Sequence, residues 1–344
     1  MILKTHLSNY QISQESTFYQ LIKTINKNGK GFAVVIDHKK KVRGIFTDGN
    51  IRRLLLKKID LNEKISKYCK KEFNYISYNK IIKKNKFYKY SNQIPILGKN
   101  KILKGLIIKQ PNKNYKENTV FILAGGKGLR MGKVSKKTPK PMLRINDEPI
   151  LEKIIQSFKK SGFKNFIIST KYLSNKIVKH FGDGSLFDIA IEYTKEKKYL
   201  GTAGSLSLIK TANINENIIV TNGDLYGNLD YSNMMKIHKK KNNDLTICAR
   251  LHMVDIPYGV INFNNENLLN EKPKLSYLIN SGIYILKKKI IKLVQKNKFL
   301  DMNDLINLAK NKKYKVGIYS LYEPVYDIGD LKKYKIIKKL LKKK

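Results

Sequence analysis

Past residue 119, short apolar runs alternate with amphipathic stretches. Val120 to Ala124 is a continuous apolar run bounded by glycines, which predicts a buried strand. Pro149 to Ser161 spaces its apolar residues as a helix does, and Asn165-Phe-Ile-Ile-Ser169 reads as a strand. Leu173 to Phe181 then predicts a helix and Ile189-Ala-Ile-Glu-Tyr193 a strand. Thr202 to Lys210 predicts a helix with Gly201 and Gly204 at its N-terminus, and Asn217-Ile-Ile-Val-Thr221 a strand ending at Asn222-Gly223-Asp224. Leu245 to Arg250, Gly259 to Phe263 and Gly282 to Leu286 supply further strands. Such alternation predicts an α/β fold, a mostly parallel sheet with helices on both faces. Ligands collect at the carboxyl ends of strands in such sheets, so the segments after Ala124 and after Thr221 should converge.

Residues 1–112 carry a different, α+β pattern. Thr17 to Ile25 places Phe18, Leu21, Ile22 and Ile25 on one helical face. Gly31 to Ile36 and Val42 to Phe46 read as a hairpin, after which Thr47-Asp48-Gly49-Asn50 caps a helix from Ile51 to about Lys58. A degenerate echo follows in Gln93 to Leu97 and Ile102 to Ile108, with Gly44 and Gly105 in matching places, which argues for an internal repeat. Pro111 to Asn118 is polar and turn-rich. The expected division is a first domain over 1–112, a linker over 113–118 and a second domain over 119–344.

The chemistry concentrates after the run at 120–124. Gly125, Gly126 and Gly128 make a loop whose backbone N–H groups can approach a ligand, and Arg130 and Lys140 flank it with charge suited to a polyphosphate. A glycine turn beside ordinary surface lysines is the alternative. A dinucleotide fingerprint needs a glycine where Met131 stands, and a Walker A loop one where Lys127 stands, so neither motif is present. Asp224 after its strand and Asp327 before Ile328-Gly329 are carboxylates that either meet a hard cation or cap their turns. His180 and His238 fall on helical patterns and carry no evident chemistry.

Composition narrows the classes. At 344 residues and 42% hydrophobic content the chain can bury cores in about two domains. No run approaches the roughly 18 apolar residues of a membrane span, and Met1 to Ser8 is too short and polar for a signal peptide. Two cysteines, Cys69 and Cys248, give neither metal spacing nor a disulfide framework, so a reducing cytoplasm and no membrane partner are expected. The net charge of +44 raises nucleic acid as a partner, but only six arginines accompany lysines spread along the whole chain. A nucleic-acid surface would cluster its charge and favour arginine, so a solvated basic surface is the reading.

Leu123-Ala-Gly-Gly-Lys-Gly-Leu-Arg130 with Pro139-Lys-Pro141 resembles the signature of sugar-1-phosphate nucleotidylyltransferases. Tyr199 to Gly204, Thr221 to Asp224, Tyr258-Gly-Val260, Glu271-Lys-Pro273, Asn280 to Tyr284 and Asp327-Ile-Gly329 follow in the family's order. Leu129 and Lys133 depart from it, where Thr and Pro are usual. The resemblance implies a Rossmann-like, glycosyltransferase-A-like core in which Leu123, Ala124, Gly125, Gly126, Gly128, Gly201, Thr202, Ala203, Asn222 and Gly223 hold the nucleotide. It further implies Arg130, Lys140 and Asp224 as the catalytic set, Mg²⁺ on Asp224 and Asp327, and Tyr258, Gly259, Glu271, Lys272 and Asn280 around the sugar. The first domain resembles a CBS pair in which Thr47 and Asn50 would face an adenine nucleotide, and a sensing and a purely structural pair are both open. The two together resemble CBS-bearing guanylyltransferases of bacterial surface-sugar pathways, which implies GTP and a hexosamine-type or hexose 1-phosphate, glucosamine 1-phosphate first, and a homo-oligomer. Mannose 1-phosphate, a thymidylyl or cytidylyl donor, and a dead transferase fold that senses adenylate are the alternatives.

Overall fold

The computed structural model describes residues 2–3, 7–28, 30–69, 73–78, 93–108, 118–132, 134–261 and 269–342. The chain divides into two compact units, Met1–Asn112 with Leu251–Leu278, and Lys113–Arg250 with Ile279–Lys344. Most of the linker expected before residue 118, together with Lys133 and the end of the strand expected at 259–263, lies outside the described residues.

In the first unit β1 (Gln11–Ser13) runs parallel to β2 (Phe32–Ile36), and β2 pairs antiparallel with β3 (Val42–Thr47). Helix α1 (Phe18–Asn28) buries the expected face of Phe18, Leu21, Ile22 and Ile25. Helix α2 (Asp48–Leu56) starts at Thr47. The second hairpin, β4 (Gln93–Leu97) and β5 (Leu103–Ile108), repeats the first in detail. Gly44 faces Val35 and Gly105 faces Ile96, and in both hairpins the register slips at the next position. Ile76–Ser77 runs parallel to β4 as β1 does to β2. The halves share a core that includes Phe32, Val34, Val42, Leu97, Leu103 and Leu106, so the internal repeat is real in the backbone and in its packing.

The second unit is built on β6 (Thr119–Leu123), whose Val120, Phe121 and Ile122 are fully buried. Helix α3 (Ile150–Lys160) leads to β7 (Asn165–Thr170), and α4 (Ser174–Phe181) to β8 (Ala190–Lys195). Next come β9 (Asn217–Asn222), β10 (Leu225–Gly227), α5 (Tyr231–Lys240), β11 (Leu245–Asp255) and β12 (Lys274–Lys287), the last two belonging to this unit up to Arg250 and from Ile279. Helix α6 (Met302–Asn311), β13 (Val316–Leu321), β14 (Val325–Asp327) and α7 (Leu331–Lys342) complete it. The main sheet has the order β8-β7-β6-β9-β12-β11-β13. Strands β8, β7, β6 and β9 are parallel, β12 opposes β9, and β13 is parallel to β11. This is the expected mostly parallel α/β sheet.

Three local expectations change. The helix expected over Thr202–Lys210 is one α-turn, Gly201–Gly204, and one tighter turn, Ser205–Leu208. The N–H groups of Ala203 and Gly204, which the first turn of a helix leaves without an intrahelical acceptor, both bond the Leu300 carbonyl at 2.9 Å, and the element ends early because the chain turns to extended backbone at Ile209. The strand expected at Gly282–Leu286 begins earlier, at Lys274, and that at Leu245–Arg250 runs on to Asp255.

Candidate nucleotide site

After β6 the strand order reverses: β7 lies on one side of it and β9 on the other. The crevice at the carboxyl ends of β6 and β9 is where a doubly wound sheet takes its ligand. Leu123 stands opposite Asn222, and the Gly223 N–H donates to the Leu123 carbonyl at 2.9 Å. A Cβ on Gly223 would sit 2.7 Å from that same oxygen, so only glycine lets the two strand ends close together. Ala124 continues the strand end, its N–H donating to the Ser169 carbonyl at 2.9 Å.

Asp224 follows directly. Its carbonyl accepts the Ile328 N–H at 3.1 Å, and the adjoining pair β10 and β14 sets Leu225 opposite Asp327. Both candidate aspartates therefore belong to one corner. Lys140, buried across the corner, donates to Asp224 Oδ2 and reaches the Gly329 carbonyl at 3.4 Å. Asp224 Oδ1 is buried with no partner among the described residues. An orphaned carboxylate oxygen, with a second aspartate on the neighbouring strand, fits a divalent cation that draws its other ligands from phosphates. The Asp327 carboxylate meets Lys333 Nζ at 3.4 Å.

The glycine loop lies on this lysine. Gly128 has φ +63°, and a Cβ there would come within 3.2 Å of Lys140 Cβ, so conformation and space both call for glycine. Arg130 is exposed on the turn Leu129–Met131. It is near Asp330, whose carboxyl is lowered first by the Lys333 N–H and further by the charges of Lys333 and Arg130.

The other end of the loop meets a group that sequence reasoning missed. A Cβ on Gly125 would stand 2.9 Å from Glu196 Oε1, whereas nothing lies within 4 Å of one on Gly126. Glu196 is 7% exposed; Ser169 Oγ donates to its Oε1 at 3.1 Å and the Leu200 N–H to its Oε2 at 3.2 Å. Its one signal in the sequence is an acid directly after β8, five residues before Gly201. Gly201 has φ +78° and a Cβ there would be 2.5 Å from the Leu300 carbonyl oxygen. Ala203 is buried beside it, and the Thr202 hydroxyl is spent on Asp301 Oδ1 at 3.2 Å and the Met302 N–H at 2.8 Å.

Asn280 stands near Asn222 through Gly282, where a Cβ would lie 2.6 Å from Asn222 Nδ2. Its own amide bonds Tyr284 OH at 2.7 Å and the Gly282 N–H at 3.0 Å. The remaining sugar candidates belong to the other unit and cluster with one another. A Cβ on Gly259 would be 2.9 Å from Glu271 Oε2, the Lys272 N–H donates to the Tyr258 carbonyl at 3.2 Å, and the Lys272 and Glu271 side chains are 3.9 Å apart. Thr47 and Asn50 bind each other: Asn50 Oδ1 accepts from the Thr47 N–H at 3.0 Å and from its hydroxyl at 2.6 Å, capping α2. Both histidines have ordinary partners. His180 meets Glu152 at 2.9 Å, while buried His238 sits between Thr246 and Asn217, burial first among the causes that lower it to about 4.

A parallel sheet that brings two aspartates, a buried lysine and a glycine loop to its switch point is the architecture of a phosphate-handling α/β enzyme. The family is more definite. Residues 119–343 match the nucleotidyl transferase family, and the chain belongs to it. It is 39% identical over 176 residues to the D-glycero-alpha-D-manno-heptose 1-phosphate guanylyltransferase of Campylobacter jejuni, covering 49% of this chain and 76% of that protein. It is 29% identical over 178 residues to the mannose-1-phosphate guanylyltransferase of Mycobacterium tuberculosis, covering 49% of each. Among solved structures, HddC from Yersinia pseudotuberculosis complexed with GMP-PN superposes with a TM-score of 0.51 at 27% identity, over 65% of this chain and 99% of that one.

Proposed function

We propose that this nucleotidyltransferase is a sugar-1-phosphate guanylyltransferase that converts GTP and a sugar 1-phosphate to a GDP-sugar and pyrophosphate. A phosphate oxygen of the sugar 1-phosphate attacks the α-phosphorus of GTP, a new P–O bond forms, and the α–β bond breaks to release pyrophosphate. The nucleophile is already largely dianionic near neutral pH, so no general base is needed. Catalysis is alignment and neutralisation of charge. Lys140, fixed between Asp224 and Gly329, and Arg130 on the glycine loop supply two cations for the triphosphate. Asp224 and Asp327 would hold Mg²⁺, which supplies further charge neutralisation on the phosphates when bound.

The observation that carries guanine is Glu196. A carboxylate is an acceptor only, and guanine offers two adjacent donors, N1–H and N2–H₂, whereas uracil and thymine offer one between two acceptors. The names of the heptose and mannose relatives support GTP as well. For the sugar, glucosamine 1-phosphate follows from reading the first unit as a CBS pair, and a legionaminic acid pathway for flagellin glycosylation follows from that. The duplicated hairpins of the first unit support the CBS reading, with Thr47 and Asn50 as its adenine-nucleotide contacts and regulation or oligomerisation as its role. The manno-configured substrates in the relatives' names favour heptose or mannose 1-phosphate as the second reading. No helix among the described residues is long and apolar enough to cross a membrane, in keeping with a cytoplasmic reaction. A grid of five nucleoside triphosphates against glucosamine, mannose, heptose and glucose 1-phosphates, scored by pyrophosphate release, tests all of this. GTP preference is expected, turnover with dTTP or CTP alone rejects the guanylyl reading, and no release with any pair favours a dead enzyme.

A further inference from the structure

Beside the Glu196 corner two aromatic side chains stand in the open. Tyr199 and Phe299 are 59% and 56% exposed, and their rings lie 5.8 Å apart at 46°. Single exposed aromatics are common, but two in contact that still leave more than half their surface to water form a stack with an open end. The backbone holds them there: the Leu300 N–H donates to the Leu200 carbonyl at 2.9 Å, which sets the preceding residues side by side. The same backbone link adjoins Gly201, and Leu200 also donates to Glu196. Lys171 closes the other side, with its Nζ 5.9 Å from the Tyr199 ring centre and its Cβ 3.4 Å from where a Cβ on Gly125 would stand. Burial, then the charges of Asp301 and Glu196, raise the Tyr199 hydroxyl above its ordinary value, which keeps it protonated.

We propose that Tyr199 and Phe299 form an aromatic rim of the nucleobase subsite and stack on a purine whose edge is held by Glu196. This rests on reading the corner of Gly125, Glu196 and Gly201 as the base subsite for GTP. A carboxylate fixes the edge of a base and leaves its faces bare, and an aromatic platform is what covers a face. A cation beside the rim suits a ligand that is flat at one end and anionic at the other. The rim therefore contributes to the affinity of the nucleoside part and nothing to that of the phosphates.

Equilibrium binding of GTP, and of inorganic triphosphate as a base-free probe, to the full-length protein and its Tyr199→Ala, Phe299→Ala and doubly substituted variants tests this. Both side chains are exposed, so melting temperatures should stay close to wild type. The double variant should lose about 5- to 50-fold in GTP affinity, the scale of one lost base stack, with triphosphate affinity unchanged. Tyr199→Phe should retain wild-type binding, because the face and not the hydroxyl is used. GTP affinity within about twofold of wild type in the double variant overturns the rim, as does an equal loss for GTP and triphosphate. Wild-type protein that binds GTP no better than triphosphate overturns the base subsite itself.

Discussion

Replacing Asp224 with Asn keeps the volume of the side chain and deletes its charge. One carboxylate oxygen is bonded to Lys140 and the other is buried without a partner among the described residues, with the two side chains 22% and 11% exposed. The amide oxygen can still accept from Lys140, so the loss is the charge-assisted part of one partly exposed hydrogen bond, about 1 kcal/mol. Removing an unpartnered buried anionic oxygen offsets some of it, and the melting temperature should move by less than about 4 °C. Turnover is another matter. If Asp224 anchors the cation that neutralises the phosphates, the transition state loses about 3–5 kcal/mol, which is about 10²- to 10⁴-fold in kcat. Pyrophosphate release at saturating GTP and sugar phosphate, over a series of Mg²⁺ concentrations, should show that loss with the fold intact. A kcat within about tenfold of wild type at ordinary Mg²⁺ would refute the assignment and leave Asp224 as a turn residue that happens to salt-bridge.

Glu196→Gln keeps the contacts to Ser169 and Leu200 within reach but ends the pure acceptor, so the ratio of kcat/KM for GTP over UTP should fall by about tenfold or more; an unchanged ratio removes the argument for guanine. Asp244 is 8% exposed, and although burial alone would raise its carboxyl, Lys289, the Lys315 N–H and Lys287 hold it at about 2 against an ordinary 3.8. A depressed acid stabilises the fold above its unfolded value and loses that contribution as pH falls through the folded one. Asp244→Asn should therefore cost about 2 kcal/mol at pH 7, and urea melts should show the gap to wild type narrowing between pH 4 and about 2. Thr47→Ala removes the cap of α2 and should cost about 1 kcal/mol in any case. On the sensing reading it should also weaken the shift in melting temperature that AMP or ATP gives wild-type protein, and equal shifts in both proteins would leave the first unit structural.

How much of this was legible depends on how far along the chain the deciding contact lies. The strands of the parallel sheet were readable because each is its own short apolar run, and Thr47 announced α2 because a cap acts within three residues. The Lys140 and Asp224 pair spans 84 positions, and no local rule predicts it. It was reachable because both residues follow recognisable motifs and because strand ends in a parallel sheet must share one edge. Glu196 had no such help, since an acid after an edge strand looks like any solvated turn until the close approach of Gly125 shows what faces it. The helix expected over Thr202–Lys210 stops at Leu208 because the chain turns to extended backbone at Ile209, whose side chain is buried in one cluster with Leu206 and Ile214, and propensity does not register a tertiary demand of that kind. The long-range link to Leu300 that caps the first turn also holds Tyr199 beside Phe299. On the proposed reading, the feature least visible in the sequence is therefore the one that lies beside the base, and GTP affinity should respond to changes near Leu300.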